Sequence, residues 1–314
     1  MNRRRQRKER VVITGIAGRL GRALARKLHR THEVIGIDRR AIEHMPKDVS
    51  VERADIRRRR FEDVFRREQI DAVVHLNIMH NPRQDSSLHH DFNLVGTKKV
   101  FELCAEHQVP KVVVLSSANV YGPDPKNPQF LNEDAPLLAG TNFGAIRDLI
   151  ALDMFCNTFF WRHPEIETVI LRPVHIVGQV DNAPSRYLRL ERPVTLMGFD
   201  PMVQVIHVDD VVSAIIRALT PGVRGVYNVA GPSPVPLSLL LDKLNRRPRP
   251  VPQAVLKAML KMGWSLKLSD WPWPELDHIK YVCMVDDSAA RSQLGFEPTR
   301  TIDDIVYDIQ HRSL

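Results

Sequence analysis

Cysteine is scarce in this chain: Cys104, Cys156 and Cys283 are scattered over 314 residues. Three widely spaced thiols exclude a disulfide framework and match no metal-ligand spacing. Each stands among apolar neighbours and reads as a small buried side chain rather than a nucleophile. The expected setting is therefore reduced and cytoplasmic. Long hydrophobic runs are also missing, since no stretch reaches the ~18 uninterrupted apolar residues of a membrane span. The basic first residues lack the apolar segment of a secretory signal. No internal repeat is visible.

What is present is enough apolar material, 43% of the chain, to bury a sizeable core. The net charge of +8 invites a nucleic-acid reading, but its distribution argues against one. Residues 1–10 hold Arg3, Arg4, Arg5, Arg7, Lys8 and Arg10 against the single acid Glu9, so this arm carries most of the excess. We read it as a solvated, disordered tail ahead of the first strand, and expect no nucleic-acid or membrane contact through it. The run Arg57 to Arg60 reads as a solvated helix face.

Strand and helix signals alternate through residues 11–175. Val11–Thr14, Glu33–Asp38, Asp71–Leu76, Lys111–Ser116 and Thr168–Leu171 are short apolar runs. Helical spacing separates them over Leu20–Leu28, about Asn93–His107 and about Ala145–Trp161. Continuous apolar strands alternating with helices predict βαβ units and a doubly wound α/β fold with a parallel sheet. Such a sheet leaves a crevice at the carboxyl ends of its strands. Residues 176–314 are less regular. Short strands near Val203–Ile206 and Val226–Val229 are expected to return to the sheet, and the remainder to form a small substrate or lid lobe. Within it, Ala254–Leu268 reads as an amphipathic helix with Val255, Leu256, Met259, Leu260, Gly263 and Trp264 on one side, followed by Trp271-Pro272-Trp273-Pro274. The expected role of that helix is to cover its own substrate pocket.

The segment Thr14-Gly15-Ile16-Ala17-Gly18-Arg19-Leu20-Gly21 follows a strand and opens a helix. Gly15 permits the tight turn, Gly18 lets backbone approach a pyrophosphate, and Gly21 permits close helix–strand packing. The helix N-terminus then offers free N–H groups and a positive dipole end to phosphate. Asp38 ends the next strand at the distance expected of a ribose-hydroxyl acceptor. A carboxylate there repels a 2′-phosphate, so NAD is predicted over NADP, although Arg39 and Arg40 stand near enough to pair one.

With these residues the chain resembles the extended short-chain dehydrogenase/reductase family, in particular its NAD-dependent epimerase/dehydratase branch, which includes UDP-glucose 4-epimerases. Ala54-Asp55-Ile56-Arg57 resembles the adenine-contacting element, and Val74-His75-Leu76-Asn77 the family's His-Leu-Ala-Ala strand end, with Asn77 replacing the usual small residue. Asn93 falls where the family keeps an Asn that braces the active site. Ser116-Ser117-Ala118-Asn119-Val120-Tyr121-Gly122 matches a Ser-Ser-x-x-Val-Tyr-Gly segment. Leu171-Arg172-Pro173, Ile206 to Val211, Gly225 to Val229 and Asp287 to Pro298 are later landmarks. The resemblance implies a Rossmann fold and a homodimer built on the helices near 93–107 and 145–161. It also implies a nucleotide-sugar ligand. Cofactor contacts would come from Gly15, Ile16, Ala17, Gly18, Arg19, Leu20, Gly21, Asp38, Arg39, Asp55, Ile56, Leu76, Asn77, Asn93, Ser116 and Pro173.

The family's chemistry uses a Ser, a Tyr and a Lys one helical turn beyond the Tyr. The phenol exchanges a proton with the substrate oxygen, the Lys lowers the phenol's pKa, and the Ser polarises the same oxygen. Ser117 fits the Ser. The Tyr-x-x-x-Lys is absent from Thr141 to Leu149. One register puts Phe143 and Arg147 in the two positions; the preferred one puts Ala145 and Leu149 there. Neither supplies a phenol or an amine, and a general acid–base is worth about 10²–10⁴-fold. We therefore expect an intact cofactor site with impaired or atypical catalysis. The alternative is an active epimerase, dehydratase or reductase using Ser117 with His175 or Tyr121. His75 and Tyr121 read as packing residues. His80, His89 and His90 match no metal-site spacing, so no metal is expected.

Overall fold

The computed structural model describes residues 7–42, 44–79, 86–141, 144–266, 277, 280–281 and 283–311. The apolar runs become strands in chain order. They are β1 (Arg10–Thr14), β2 (Glu33–Asp38), β3 (Ser50–Arg53), β4 (Ala72–His75), β5 (Lys111–Leu115) and β6 (Glu167–Pro173). Shorter ones follow: β7 (His175–Val177), β8 (Val194–Leu196), β9 (Met202–Val203), β10 (Val205–His207), β11 (Gly225–Val229), β12 (Val235–Pro236) and β13 (Arg249–Val251). The main sheet has seven strands in the order β11-β6-β5-β4-β1-β2-β3, and every pairing in it is parallel.

The strands are apolar throughout because both faces are covered. Successive side chains enter opposite cores. On β1, Val11 and Ile13 join one core while Val12 joins the other; on β5, Val113 opposes Val112 and Val114. The helices α1 (Arg19–Leu28), α7 (Val208–Ala218) and α10 (Ser288–Leu294) close the first face. The second is closed by α2 (Arg59–Arg67), α4 (Gly96–Glu106) and α5 (Gly144–Arg162), and α4 meets α5 through the edge-to-face rings of Phe101 and Phe159. A further α3 (Ser86–His90) precedes α4 and joins it through a π-helical turn, Asp91–Val95. A smaller core forms where α6 (Ala183–Arg189), α8 (Leu237–Lys243) and α11 (Ile302–His311) pack around Val177 and Val205. Finally, α9 (Gln253–Ser265) follows β13.

Several expectations need correction. Val226–Val229 does return to the main sheet, but Val205–His207 pairs with β7 in a separate two-stranded sheet. The edge strand β3 was not anticipated, because Ser50–Arg53 carries no apolar run and lies mostly exposed. The helix expected from Asn93 begins earlier, in α3. Part of the basic arm is tied down: Arg7 pairs with both oxygens of Asp71 (2.8 Å), and Arg10 enters β1 and pairs with Glu33 and Glu68. Carboxylates at the strand ends hold these two cations, so Arg10 belongs to the sheet and Arg7 is paired, while residues 7–9 stay exposed. Lys8 reaches the carbonyls of His29 and Arg30, and the other arm cations, Arg3 to Arg5, lie outside the described residues, as do His80, Phe143 and the Trp271–Pro274 segment. The six residues expected on one side of α9 divide: Leu256 is buried, whereas Val255 and Met259 are half exposed.

Candidate active site

The glycine turn lies at the carboxyl end of β1. Gly15 has φ +78°, and its N–H donates to Ile37 O at 2.8 Å. A Cβ there would stand 2.9 Å from Leu76 C and 3.0 Å from Asn77 Cα, so the turn presses against the chain leaving β4. A Cβ on Gly21 would meet Gly15 O at 2.6 Å and Ile16 Cα at 2.7 Å, which fixes α1 against β1. Gly18 caps α1 in an extended conformation without a side-chain bond, so the first-turn N–H groups face the crevice. Arg19 reaches across that crevice, donating to Gln179 O at 3.1 Å beyond β7.

Asp38 is buried at the end of β2. Its carboxylate accepts from Ala17 N (3.1 Å) and from the backbone N, Nε and Nη2 of Arg40 (3.0, 3.2 and 3.1 Å). Arg40 therefore stands at the carboxylate face that a ribose hydroxyl would use. Asp55 pairs with Arg57, whose guanidinium holds the carboxyl below its usual pKa. Arg39 and Arg57 both approach the buried Phe92 ring, at 5.1 and 5.4 Å from its centroid. Ile56 is fully buried under the same region.

Beyond β4, Asn93 clamps the chain from inside the π-helical turn. It accepts from Met79 N (2.7 Å) and donates to Met79 O (3.0 Å). Both bonds hold the loop that follows Leu76 and Asn77. His75 bridges Thr14 Oγ1 (2.7 Å) and Thr97 Oγ1 (2.9 Å), and burial pulls its pKa down to about 4. It is a neutral packing imidazole.

At the end of β5, Ser117 Oγ accepts from Asn119 N at 3.1 Å and caps the short turn that follows. Its neighbour Ser116 is buried and donates to Asp153 Oδ2 at 2.6 Å. Asp153 makes a bidentate pair with Arg172 (2.6 and 3.0 Å), with both side chains almost fully buried. Arg172 also donates to Tyr121 Oη (2.8 Å), which donates to Asn228 Oδ1 (2.7 Å). Burial pushes the Tyr121 phenol up to about 12. Held at both lone pair and proton, and 1% exposed, Tyr121 pins β5, β6 and β11 together and does not serve as a replacement acid–base group. Residue spacing did not reveal this network; the Leu-Arg-Pro landmark marked Arg172 without giving its partner.

Asp153 also orients α5. Leu149 lies one turn before it, buried in the core with Val120 and Tyr121. Position 145 is one turn earlier again on the same helical face. Arg147 turns elsewhere, donating to Gly140 O at 2.7 Å in an exposed position. His90 pairs with Asp148 at 3.2 Å. Among the described residues no three His, Cys, Asp or Glu form a metal-holding group.

His175 opens β7 and lines a small cavity of about 20 Å³ with Ala118, Asn119, Gln204, Tyr281 and Cys283. Burial lowers its pKa. It also pushes the Cys283 thiol up to about 12, and raises the buried Cys104 and Cys156. Pro173 ends β6 beside this cavity. A larger pocket of about 360 Å³ lies apart from the glycine turn, between Phe130, Gly231 and Arg291. No helix among the described residues is long and apolar enough to cross a membrane.

An uncharacterized protein of Mycobacterium tuberculosis is 27% identical over 93% of this chain and 80% of its own length. A UDP-glucose 4-epimerase of Cyamopsis tetragonoloba is 30% identical over 51% of this chain and 43% of its own. Among solved structures, UDP-glucose 4-epimerase of Thermus thermophilus in complex with NAD superposes with TM-score 0.75 at 19% identity, covering 97% of this chain and all of that one. The Thermotoga maritima UDP-glucose 4-epimerase with UDP-glucose gives TM-score 0.74 at 18% identity over 96% and 97%. These structures share the fold. The model of the NAD dependent epimerase/dehydratase family matches residues 11–230, and the chain belongs to that family.

Proposed function

We propose that this protein binds NAD at the glycine turn and a nucleotide sugar in the adjoining crevice, with proton transfer impaired by the loss of the Tyr/Lys pair. The turn fits the cofactor. Gly18 leaves the approach to the α1 N-terminus clear, Arg19 spans the crevice, and Asp38 offers a buried carboxylate to the ribose. Asp55 and Ile56 would bound the adenine, while Leu76, Asn77, Asn93, Ser116 and Pro173 would line the nicotinamide end. When bound, NAD supplies a hydride acceptor.

The observation that carries the impaired-catalysis reading is the direction of α5. Asp153 is fixed to Ser116, next to Ser117, so the face bearing Leu149, one turn before it, turns toward the same strand end. Leu149 on that face is apolar and buried. On this reading Ala145 and Leu149 occupy the positions of the family's Tyr and Lys, and neither can move a proton. Ser117 keeps a hydroxyl there, able to polarise a substrate oxygen. The test is turnover of UDP-glucose by the native chain and by Ala145→Tyr/Leu149→Lys, with NAD binding followed by calorimetry. Slow or no native turnover and a measurable gain in the double variant support the reading. Substantial native turnover refutes it.

A second reading rests on the cavity shared by His175, Ala118 and Asn119, which adjoins Ser117. A neutral imidazole there could accept a proton as general base. His175→Gln would then abolish any native turnover. The exposed Met154 and Trp161 on α5 support a homodimer through α4 and α5, and the buried thiols support a reducing, cytoplasmic setting.

A further inference from the structure

Arg19 is the first residue of α1, and its guanidinium leaves the glycine turn to meet a backbone carbonyl across the crevice, Gln179 O at 3.1 Å. That carbonyl belongs to residues 178–182, which connect β7 to α6. Both feet of the connection are fixed. Gly178 has φ +106°, a conformation that favours glycine, and a Cβ there would stand 2.7 Å from Nε2 of the buried His207. The same Nε2 is held by Asp308 at 2.9 Å, and the Gly178 carbonyl accepts from Arg189 Nη2 at 3.1 Å. At the other foot Asn182 donates to Ile176 O (2.8 Å) and accepts from Ser185 N (2.9 Å), which caps α6.

Between the feet, Gln179 and Asp181 are exposed and Val180 is half-buried. Arg186 pairs with both oxygens of Asp181 (2.6 and 3.1 Å), so the charge of the acid in this connection is offset. The bond from Arg19 to Gln179 O goes to a neutral carbonyl in an exposed position, and such a hold is weak and reversible. The first-turn N–H groups of α1 lie at the root of the same guanidinium. A pyrophosphate seated on them would bring negative charge beside Arg19, which carries N–H groups beyond the one given to Gln179 O. Hydrogen bonds between two ionised groups are shorter and stronger than one to a neutral carbonyl. The guanidinium would then grip phosphate and loop together.

We propose that residues 178–182 are a strap that closes over the pyrophosphate of the bound dinucleotide, with Arg19 as its latch and Gly178 and Asn182 as its feet. This role rests on the reading that the glycine turn binds the cofactor, and extends that reading to the loop beyond β7. Because α6 continues from Asn182 into the smaller core through Leu188, the closing strap passes cofactor occupancy on to the lobe beside the crevice.

The experiment is hydrogen–deuterium exchange of the full chain, native and Arg19→Met, with and without saturating NAD. In the native chain NAD should slow exchange about fivefold or more in residues 178–182 as well as in residues 15–21. In Arg19→Met at saturating NAD, protection of 15–21 should remain and that of 178–182 should vanish. Chasing bound NADH with excess NAD should show release about tenfold faster from Arg19→Met than from the native chain. Arg19 belongs to none of the apolar cores, so the thermal midpoint without NAD should stay at the native value. Should Arg19→Met melt early, Arg19→Gln carries the same expectations. The proposal is overturned if NAD protects 15–21 but not 178–182 in the native chain, if the variant still protects 178–182, or if its release rate is native. Protection of neither segment in the native chain would remove the cofactor reading, and the strap with it.

Discussion

Gly18 and Gly21 lie one helical turn apart in the same motif, and alanine at each should fail for a different reason. At Gly21 the new Cβ would stand 2.6 Å from Gly15 O and 2.7 Å from Ile16 Cα. Both are backbone atoms of a turn anchored by the Gly15 N–H to Ile37 O bond, so neither can yield without moving α1 away from β1. Overpacking of this kind costs about 1–3 kcal/mol. In a chain of this size that corresponds to a fall of roughly 1.5–4.5 °C in the thermal midpoint. At Gly18 the Cβ would be 3.2 Å from Gly15 O, and the backbone is in an ordinary extended conformation. A shift of a few tenths of an ångström accommodates it, so Gly18→Ala should melt close to the native chain. Its methyl would instead stand where a pyrophosphate approaches the α1 N–H groups, lowering NAD affinity by about tenfold or more, or at least ~1.4 kcal/mol. Differential scanning calorimetry reads the first effect and isothermal titration with NAD the second. Native-like melting of Gly21→Ala, or native NAD affinity in Gly18→Ala, would refute the division of roles.

His75 provides a pH test. Its folded-state pKa, about 4, lies below the ordinary imidazole value of 6.5, so its contribution is present above 6.5 and lost as pH falls toward 4. The loss approaches about 3 kcal/mol, and His75→Gln should flatten this part of the stability profile; equal acid sensitivity in both proteins would disprove the assignment. Arg172→Met leaves Asp153 as an uncompensated buried carboxylate and frees the Tyr121 hydroxyl. We expect a cost of about 3–5 kcal/mol in urea denaturation, and a cost below ~1 kcal/mol would show the pair to be unimportant. Arg40→Ala uncovers Asp38 for a ribose hydroxyl. Because this guanidinium is largely exposed, the pair is weak, and NAD affinity should rise by up to about fivefold. A fall in affinity would mean that Arg40 helps hold the cofactor.

The glycine spacing, the strand-ending acid and the alternation of strands with helices were all legible from residue order. Each is a local rule: a turn needing positive φ, an extended run buried on two faces, a helix with an apolar stripe. Chain order likewise placed Ser117 after β5 and exposed the missing phenol and amine. Edge strand β3 was not legible, because its pairing comes from backbone bonds to β2 and not from any apolar pattern in Ser50–Arg53. The Ser116–Asp153–Arg172–Tyr121–Asn228 network was equally hidden. Its members lie up to 112 positions apart, and only the stacking of β5, β6, β11 and α5 brings them within hydrogen-bonding distance. That network turned the conspicuous Tyr121 from a candidate acid into a buried pin, and it set the face of α5 that carries position 149. The sidedness of α9 was a tertiary decision as well. Periodicity showed that the helix is amphipathic, but which part of its apolar surface meets the protein was decided by Leu196 and the β8–β13 pair packing against Leu256. Sequence alone determined the apolar strands of the main sheet, their alternating helices and the glycine turn, since neighbours along the chain suffice for these. Tertiary packing decided which polar groups are held and which surfaces stay open, because those depend on residues that only folding makes neighbours.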